Sequence, residues 1–363
     1  MTMLPDEQPD LLGDYGRPGA PPPAQGRPEG AGTSFSKLLI PFLVPLFFML
    51  AVVPTGFLME SPGPSFDLQA DISVEGAETY PSQGEFLLTA VSFEESRLIY
   101  HILSLFGQGR EMLAVQDYLG EDLDTEEQET VDTVVTLISQ DTATVVGLER
   151  TGIQVEVDEL GAFVVSVGEQ YPAYGVVSPG DVIVAVNGVP VENGERMGEL
   201  ISSTPEGETV TLQVKEIDQD ALDEAEEMME EEGSTLRPDL STLLEDDMRE
   251  AVIQPVYEPE LDRAIVGIST RDYFSYSSSV EVAWDLGTVK GPSAGMMMTI
   301  ALVNTLTPED LTGAEKIAGT GEIFLDGDVG PIGGLPFKIE AKSEGSSDRR
   351  ICIDHSPFPS TPG

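Results

Sequence analysis

From Leu38 to Met59 the chain reads LLIPFLVPLFFMLAVVPTGFLM, about 22 positions without a charge. That is the length needed to cross a hydrocarbon core of roughly 30 Å. Pro41, Pro45 and Pro54 would kink or end the helix, which membrane helices tolerate better than soluble ones. Arg27 and Lys37 precede the run and Glu60 and Asp67 follow it, so the pattern predicts a single-pass cell-membrane anchor with a cytoplasmic N-terminus and an extracytoplasmic remainder. A cleaved signal peptide would have a shorter apolar stretch ending in small residues. Residues 1–37, with GRPGAPPPAQGRPEG in their midst, carry no apolar period and read as a disordered tail.

Beyond the anchor the apolar pieces shorten, and the chain reads as α+β. In residues 60–150 the pattern predicts a strand at Phe86–Val91, a helix over 94–119, and a second from Thr125 to Ile138, ending near Ser139. No catalytic residue types cluster there. Residues 151–215 predict a small β domain: strands at 161–167 and 182–186, an Asn-Gly turn, a helix at Arg196–Ser202, and an alternating strand at Glu208–Val214. Residues 216–250 are an acidic run that fits a solvated helix or a linker.

In the last domain, 251–345, an apolar helix over about 293–306 is followed by Thr307, Pro308 and Asp310, which read as the cap of another helix. A strand, an Asp326-Gly327 turn, a strand, a Gly333-Gly334 turn and a short helix carrying Lys338 come next. Residues 346–363 form a polar, atypical tail.

Charge narrows the partners. Against 65 Asp and Glu stand 18 Lys and Arg, a formal charge of -47, which repels nucleic acid and anionic lipid headgroups and suits a protein solvated in concentrated salt. Cys352 is the single cysteine, and His101 and His355 are the two histidines, so no intrachain disulfide or cysteine-rich metal site can form and His-ligated zinc has few ligands. The spacing of Asp218, Asp220 and Asp223 lacks the glycine and terminal glutamate of a calcium loop. Neither a metal nor a cofactor is expected.

The chemistry gathers around Gly291-Pro292-Ser293-Ala294-Gly295, a loop placed directly before the apolar helix. A serine there meets the unpaired N–H groups and positive end of the helix, which favour a developing anion and are candidates for an oxyanion hole. Ser293 could equally be a plain helix cap. Lys338 lies amid Leu335, Phe337 and Ile339. Apolar surroundings would strip its cation of solvation and lower its pKa, so that the neutral amine could take a serine proton. It could also be a lysine snorkelling from a half-buried helix.

These two segments, Gly291–Gly295 and Pro331-Ile332-Gly333-Gly334-Leu335-x-x-Lys338, resemble the motifs around the serine and lysine of the Lon protease proteolytic domain, and Lys338 follows Ser293 by 45 residues, as suits that family. Between them Gly319-Thr320-Gly321-Glu322 is similar to the family's Thr-Gly-Glu stretch, which implies that Thr320 orients Lys338. GVVSPGDVIVAVNGVPV at 175–191 looks like a PDZ signature. With the anchor and Ser61-Pro62-Gly63-Pro64, the order over about 38–341 resembles the bacterial membrane-tethered PDZ–Lon peptidases.

The resemblance implies an ATP-independent serine endopeptidase for unfolded proteins or peptide tails, since no G-x-x-x-x-G-K-[ST] occurs. It implies a homo-hexameric ring and a PDZ groove that takes peptide as an added strand along Gly161, Ala162, Phe163, Val164 and Val165. Two departures stand out. Lys290 replaces the family's glycine, a cation that would raise substrate affinity or obstruct the cleft, and the tail after Lys338 looks truncated, lacking the family's closing strand and helix. The damaged tail favours a second reading, a catalytically impaired tethered PDZ module. A Ser-His enzyme using His355 beside Asp354 is a poor third, because both lie in a Pro-rich terminus.

Overall fold

A computed structural model describes residues 35–98, 100, 111–114, 125–205, 207–230, 237–287, 289–333, 338 and 349–352. Helix α1 (Phe35–Val52) belongs to a unit of its own, distinct from the body of the chain. It stops at Val52, and strand β1 begins at Pro54, whose ring turns the preceding residue away from helical geometry. The helix predicted to Met59 therefore ends short of it. Among the residues whose side chains are described, no helix is long and apolar enough to cross a membrane.

The body holds two principal sheets. The first has five strands in the order β17-β14-β3-β1-β4: β1 (Pro54–Asp67), β3 (Glu85–Arg97), β4 (Glu111–Ala114), β14 (Lys316–Gly319) and β17 (Arg349–Cys352). β14 runs parallel to both β3 and β17. Residues 94–97 and 111–114 are therefore strand where the sequence predicts helix. The register of β1 shifts between Pro62 and Ser65, at the Ser-Pro-Gly-Pro stretch, and a Cβ on Gly63 would stand 2.8 Å from Ala90 O, so the strand bends where only glycine fits. Small ladders pair β2 (Ile72–Glu75) with β13 (Glu281–Trp284), β10 (Val256–Glu258) with β11 (Arg263–Ile265), and β15 (Glu322–Ile323) with β16 (Val329–Gly330).

The second sheet contains β5 (Val155–Val167), β6 (Val182–Val186), β7 (Val189–Pro190), β8 (Val210–Lys215), β9 (Arg249–Ile253) and β12 (Ile268–Ser278), along the path β12-β5-β6-β8-β9 with β7 beside β6. Helix α3 (Gly194–Ser202) covers its small core of Val164, Ile183, Met197, Ile201 and Leu212. Asn187 and Gly188 both take positive φ, 51° and 74°, as the predicted Asn-Gly turn requires. The sheet extends past the expected limit of 215, because β9 and β12 come from residues assigned to the linker and to the last domain.

Helix α2 (Thr125–Arg150) lies at the centre, running 12 residues beyond its predicted end at Ile138. Its polar second half misleads, since Thr142 and Thr144 donate their hydroxyls to Ile138 O and Gln140 O, so a threonine-rich stretch is buried at low cost. One side of α2 packs on Phe163, Tyr273 and Phe274 of the second sheet, with Leu222 and Ala225 of helix α4 (Gln219–Glu230). Its other side, through Ala143 and Val146, meets helix α5 (Gly295–Leu306) and, with it, Phe86 and Leu88 of the first sheet. The acidic run is thus partly a docked helix. No helix follows Thr307: it is the extended C-cap of α5, and Asp310 accepts from Thr312 and Ser82 in a turn.

Candidate active site

Pro292, Ser293 and Ala294 form a single 3-10 turn that runs straight into α5. Gly291 precedes it at φ 107°, a conformation strained for any side chain, which explains a glycine before the proline. Ser293 does not cap the helix: Ala294 holds the N-cap position of α5, with no side-chain cap bond at either end of the turn. Met296 N–H donates to Gly321 O at 3.0 Å, and Gly321 N–H to Ser293 O at 2.9 Å, so the loop and the Thr-Gly-Glu stretch are stitched in both directions. A Cβ on Gly321 would meet the Met296 side chain at 2.8 Å, so this approach also needs glycine.

Thr320 directly follows β14 and lies between the two expected partners. Its hydroxyl donates to Ser293 O at 3.0 Å and accepts from Lys338 Nζ at 3.2 Å. Lys338 is 6% exposed. Burial pushes its ammonium down to about 8, and Glu60 on β1 pulls the other way. The structure therefore brings Ser293, Thr320 and Lys338 together, although among the described residues no hydrogen bond joins Ser293 Oγ to Lys338 Nζ. Leu335, Phe337 and Ile339, expected to surround the lysine, lie outside the described residues, as do His101, Asp354 and His355.

Three contributors come from the region where the sequence shows no clustering. Glu60 is one. The others are on α2: Thr136 Oγ1 accepts from Gly291 N–H at 2.7 Å, and Ser139 Oγ donates to Pro292 O at 3.1 Å. Nothing local in the sequence ties α2 to a loop some 150 residues away. Lys290, expected to raise substrate affinity or obstruct the cleft, is engaged by Thr133 and Glu226, at 2.9 and 3.1 Å. Arg271 of β12 reaches the buried Glu322, two residues past Thr320, at 2.6 Å.

The peptide-receiving edge expected at Gly161–Val165 is a correction. In β5 this stretch has β12 on one side, Gly161 opposite Tyr273 through Val164 opposite Thr270, and β6 on the other, Ala162 opposite Ile183 and Phe163 opposite Val182. Ala162, Phe163 and Val164 have no exposure. With both backbone edges used, no strand can be added there. The edges of this sheet are β12 and β9, and beside the first, between β12 and α3, opens a groove of about 670 Å³ lined by Gly194, Met197, Gly198, Val266, Ile268 and Thr270 among others.

The tail also differs from expectation. Arg349–Cys352, which the sequence places in a truncated end, form β17 against β14, in register from Lys316 opposite Arg349 to Gly319 opposite Cys352.

Comparison with known proteins agrees with this layout. The family model described as the PDZ domain matches residues 150–223, and that of the Lon protease (S16) C-terminal proteolytic domain matches 240–352. The chain thus has a PDZ-like small β domain and a Lon-type α+β proteolytic domain. Among curated proteins it is similar to the archaeal Lon protease of Halobacterium salinarum, 38% identical over 65 residues, 18% of this chain and 9% of that one. It is also similar to the Lon proteases of Amoebophilus asiaticus, 32% over 102 residues (28% and 12%), and Porphyromonas gingivalis, 36% over 91 (25% and 10%). The chain spans about a tenth of the length of these relatives, 9 to 12%. Among solved structures, the PDZ domain of an SdrC-like protein from Listeria monocytogenes is 21% identical, with 31% of this chain and 87% of that chain covered and a TM-score of 0.21. Its counterpart from Listeria innocua is 20% identical, with 30% and 92% covered and the same TM-score of 0.21.

Proposed function

We propose that this chain is an ATP-independent serine endopeptidase that cleaves unfolded or exposed protein segments, with Ser293 as nucleophile, Lys338 as general base and Thr320 as the group that orients the lysine. The observation that carries it is the run from the buried Lys338 amine through the Thr320 hydroxyl to the main chain of Ser293. A lysine whose pKa is near 8 is neutral in a useful fraction at working pH, which is what an acceptor of the Ser293 proton must be. As Ser293 Oγ attacks a peptide carbonyl, Lys338 takes its proton and returns it to the leaving amine. Water then attacks the acyl-enzyme with the same base. Gly291, Gly295 and Met296 N–H already have acceptors and the 3-10 turn engages that of Ala294, so the oxyanion is met from the Ser293 N–H.

Peptide is captured in the groove beside α3, adding as a strand to the edge of β12. Gly198→Trp fills this groove, and a Cβ there meets nothing nearer than Arg263 Nη1 at 3.6 Å, so the fold should accept it. The expected result is a KM for casein raised about tenfold with turnover of a short ester unchanged, equivalent to one lost anchor of about 1.4 kcal/mol. Equal loss on both substrates would remove the groove from the reading.

The chain is tethered to the cell membrane through the apolar run from Leu38 to the end of α1, with the catalytic region outside; residues 54–59, expected to continue the anchor, belong to β1. The exposed apolar side chains of α1, Phe48 at 69% among them, support that tether. The deciding assay is cleavage of unfolded casein by the full chain in detergent, at high salt and without ATP, beside Ser293→Ala. Cleavage confined to the unsubstituted chain supports the proposal. Strict ATP dependence, full activity of Ser293→Ala, or a folded but inactive parent would sink it, the last in favour of a tethered PDZ module.

A further inference from the structure

The nucleophile loop is met, one residue at a time, by a row of hydroxyls on α2. Thr133, Thr136 and Ser139 recur every third residue, which sets them along one stripe of the helix with a rise of about 4.5 Å per step. Consecutive residues of an extended segment are spaced by roughly 3.5 Å. The two repeats are near enough for three successive loop residues to meet three successive hydroxyls: Thr133 Oγ1 accepts from Lys290 Nζ at 2.9 Å, Thr136 Oγ1 accepts from Gly291 N–H at 2.7 Å, and Ser139 Oγ donates to Pro292 O at 3.1 Å.

Each of the first two hydroxyls is also aimed. A hydroxyl has one proton to give, and that of Thr136 goes to Asp132 O of its own helix at 2.6 Å, which turns a lone pair to Gly291. That of Thr133 goes to Glu226 Oε1 on α4 at 2.6 Å, which turns its lone pair to the Lys290 ammonium, and Glu226 meets the same ammonium at 3.1 Å. At the third rung the fit is steric as well, since a Cβ on Gly295 would lie 2.9 Å from Ser139 Oγ. The donor and acceptor directions are thus settled before any substrate arrives.

We propose that Thr133, Thr136 and Ser139 are the positioning residues that set the register of the Ser293 loop, and that Lys290 serves this ladder rather than the substrate. The proposal rests on Ser293 being the nucleophile for its catalytic meaning. Its geometric part does not. The ladder holds Gly291 in its left-handed conformation from outside the loop, so the serine enters the 3-10 turn at a fixed angle. Displacements of about 1 Å at a nucleophile suffice to lose on the order of a hundredfold in rate.

The test compares the full chain with Thr136→Val, Thr136→Ser and Lys290→Met. Thr136→Val keeps the shape and removes the acceptor. Its expected effect is a fall in kcat of ten- to a hundredfold at unchanged KM for casein. Thr136→Ser, which keeps the oxygen, should recover most of the rate. Lys290→Met should lower kcat by a few-fold and leave KM alone. Amide exchange of a peptide covering 289–296 supplies a readout independent of catalysis: Thr136→Val should speed exchange about tenfold there, consistent with a lost hydrogen bond.

Three outcomes overturn the ladder: unchanged exchange in Thr136→Val, a rise in KM in place of the fall in kcat, or no recovery in Thr136→Ser. Exchange that accelerates throughout the chain would also overturn it, as general destabilisation. A parent without activity refutes the peptidase reading. In that case the exchange result alone decides whether the loop is held as described.

Discussion

Lys338→Met is expected to abolish proteolysis and, at neutral pH, to make the folded protein more stable. The methionine follows the lysine stem but needs no water at its tip. The lysine amine, 6% exposed, is depressed from 10.5 to about 8 by burial, against the opposing pull of Glu60. The unfolded chain holds its proton more tightly than the folded one. Stability contributed by this group is therefore lowest below pH 8, rises as pH climbs from about 8 to 10.5, and is level beyond. Every tenfold loss of proton affinity on folding costs about 1.4 kcal/mol, so the neutral-pH gain in Lys338→Met should be roughly 3 kcal/mol and should vanish above pH 10.5.

Denaturant unfolding at pH 7 and near pH 11 measures it. Loss of the base should cost at least a thousandfold in kcat/KM. The parent's rate should rise with pH to a midpoint near 8, and Glu60→Gln, by removing the group that raises the lysine pKa, should move that midpoint down. A variant that is inactive and no more stable than the parent at pH 7 would mean that the lysine is charged and paired in the fold, and so no base.

The site is legible wherever it depends on residues close in sequence. Gly291 to Gly295 is local stereochemistry: a left-handed glycine, a proline in a helical first turn, and a serine between them. The Asn187-Gly188 and Asp326-Gly327 turns, with Gly327 at φ 86°, are of the same kind. Glu60 and the α2 hydroxyls are not legible, since no short-range pattern says which distant element will lie on a loop. Residues 60–150 therefore look empty of function although β1, β3 and α2 build the layer that carries Ser293.

The groove expected from the PDZ resemblance is misplaced for a reason the sequence itself contains. GAFVVSV is apolar on both faces, the mark of a strand buried between neighbours, whereas β12, ISTRDYFSYSS, is polar at most positions and buries only Tyr273 and Phe274, which suits a strand at the rim of a sheet. An apolar run of this kind signals an interior position. The tail misleads similarly. RRIC has only two apolar residues, yet at the rim of a sheet beside β14 a strand needs little apolar surface to pair.

Arg271→Met is the substitution expected to cost the fold most among those near the site. Arg271 leaves β12 beside the groove and crosses to Glu322, whose side chain is 6% exposed, while its own is 30% exposed. Burial raises the Glu322 pKa above the usual carboxylate range, and Arg271 works against that rise. Removing the arginine strands a carboxylate where water cannot reach it, a loss of about 3–5 kcal/mol at neutral pH. The sign of the pH dependence follows. A carboxyl whose folded pKa lies above its unfolded value adds stability below the unfolded value and loses it as pH rises through the folded one, so the deficit of Arg271→Met should be largest at pH 7 and small near pH 4.

A second substitution separates charge from packing. In Arg271→Met/Glu322→Gln no ion is left uncompensated, and most of the lost stability should return at pH 7. Activity should return less completely, because Glu322 lies two residues from Thr320 and the Arg271 strut fixes the stretch on which Thr320 meets Lys338. Equal deficits at pH 4 and pH 7, or no recovery in the double variant, would show that Arg271 acts through its contact with the Phe324 ring, 5.6 Å away, and not through its charge.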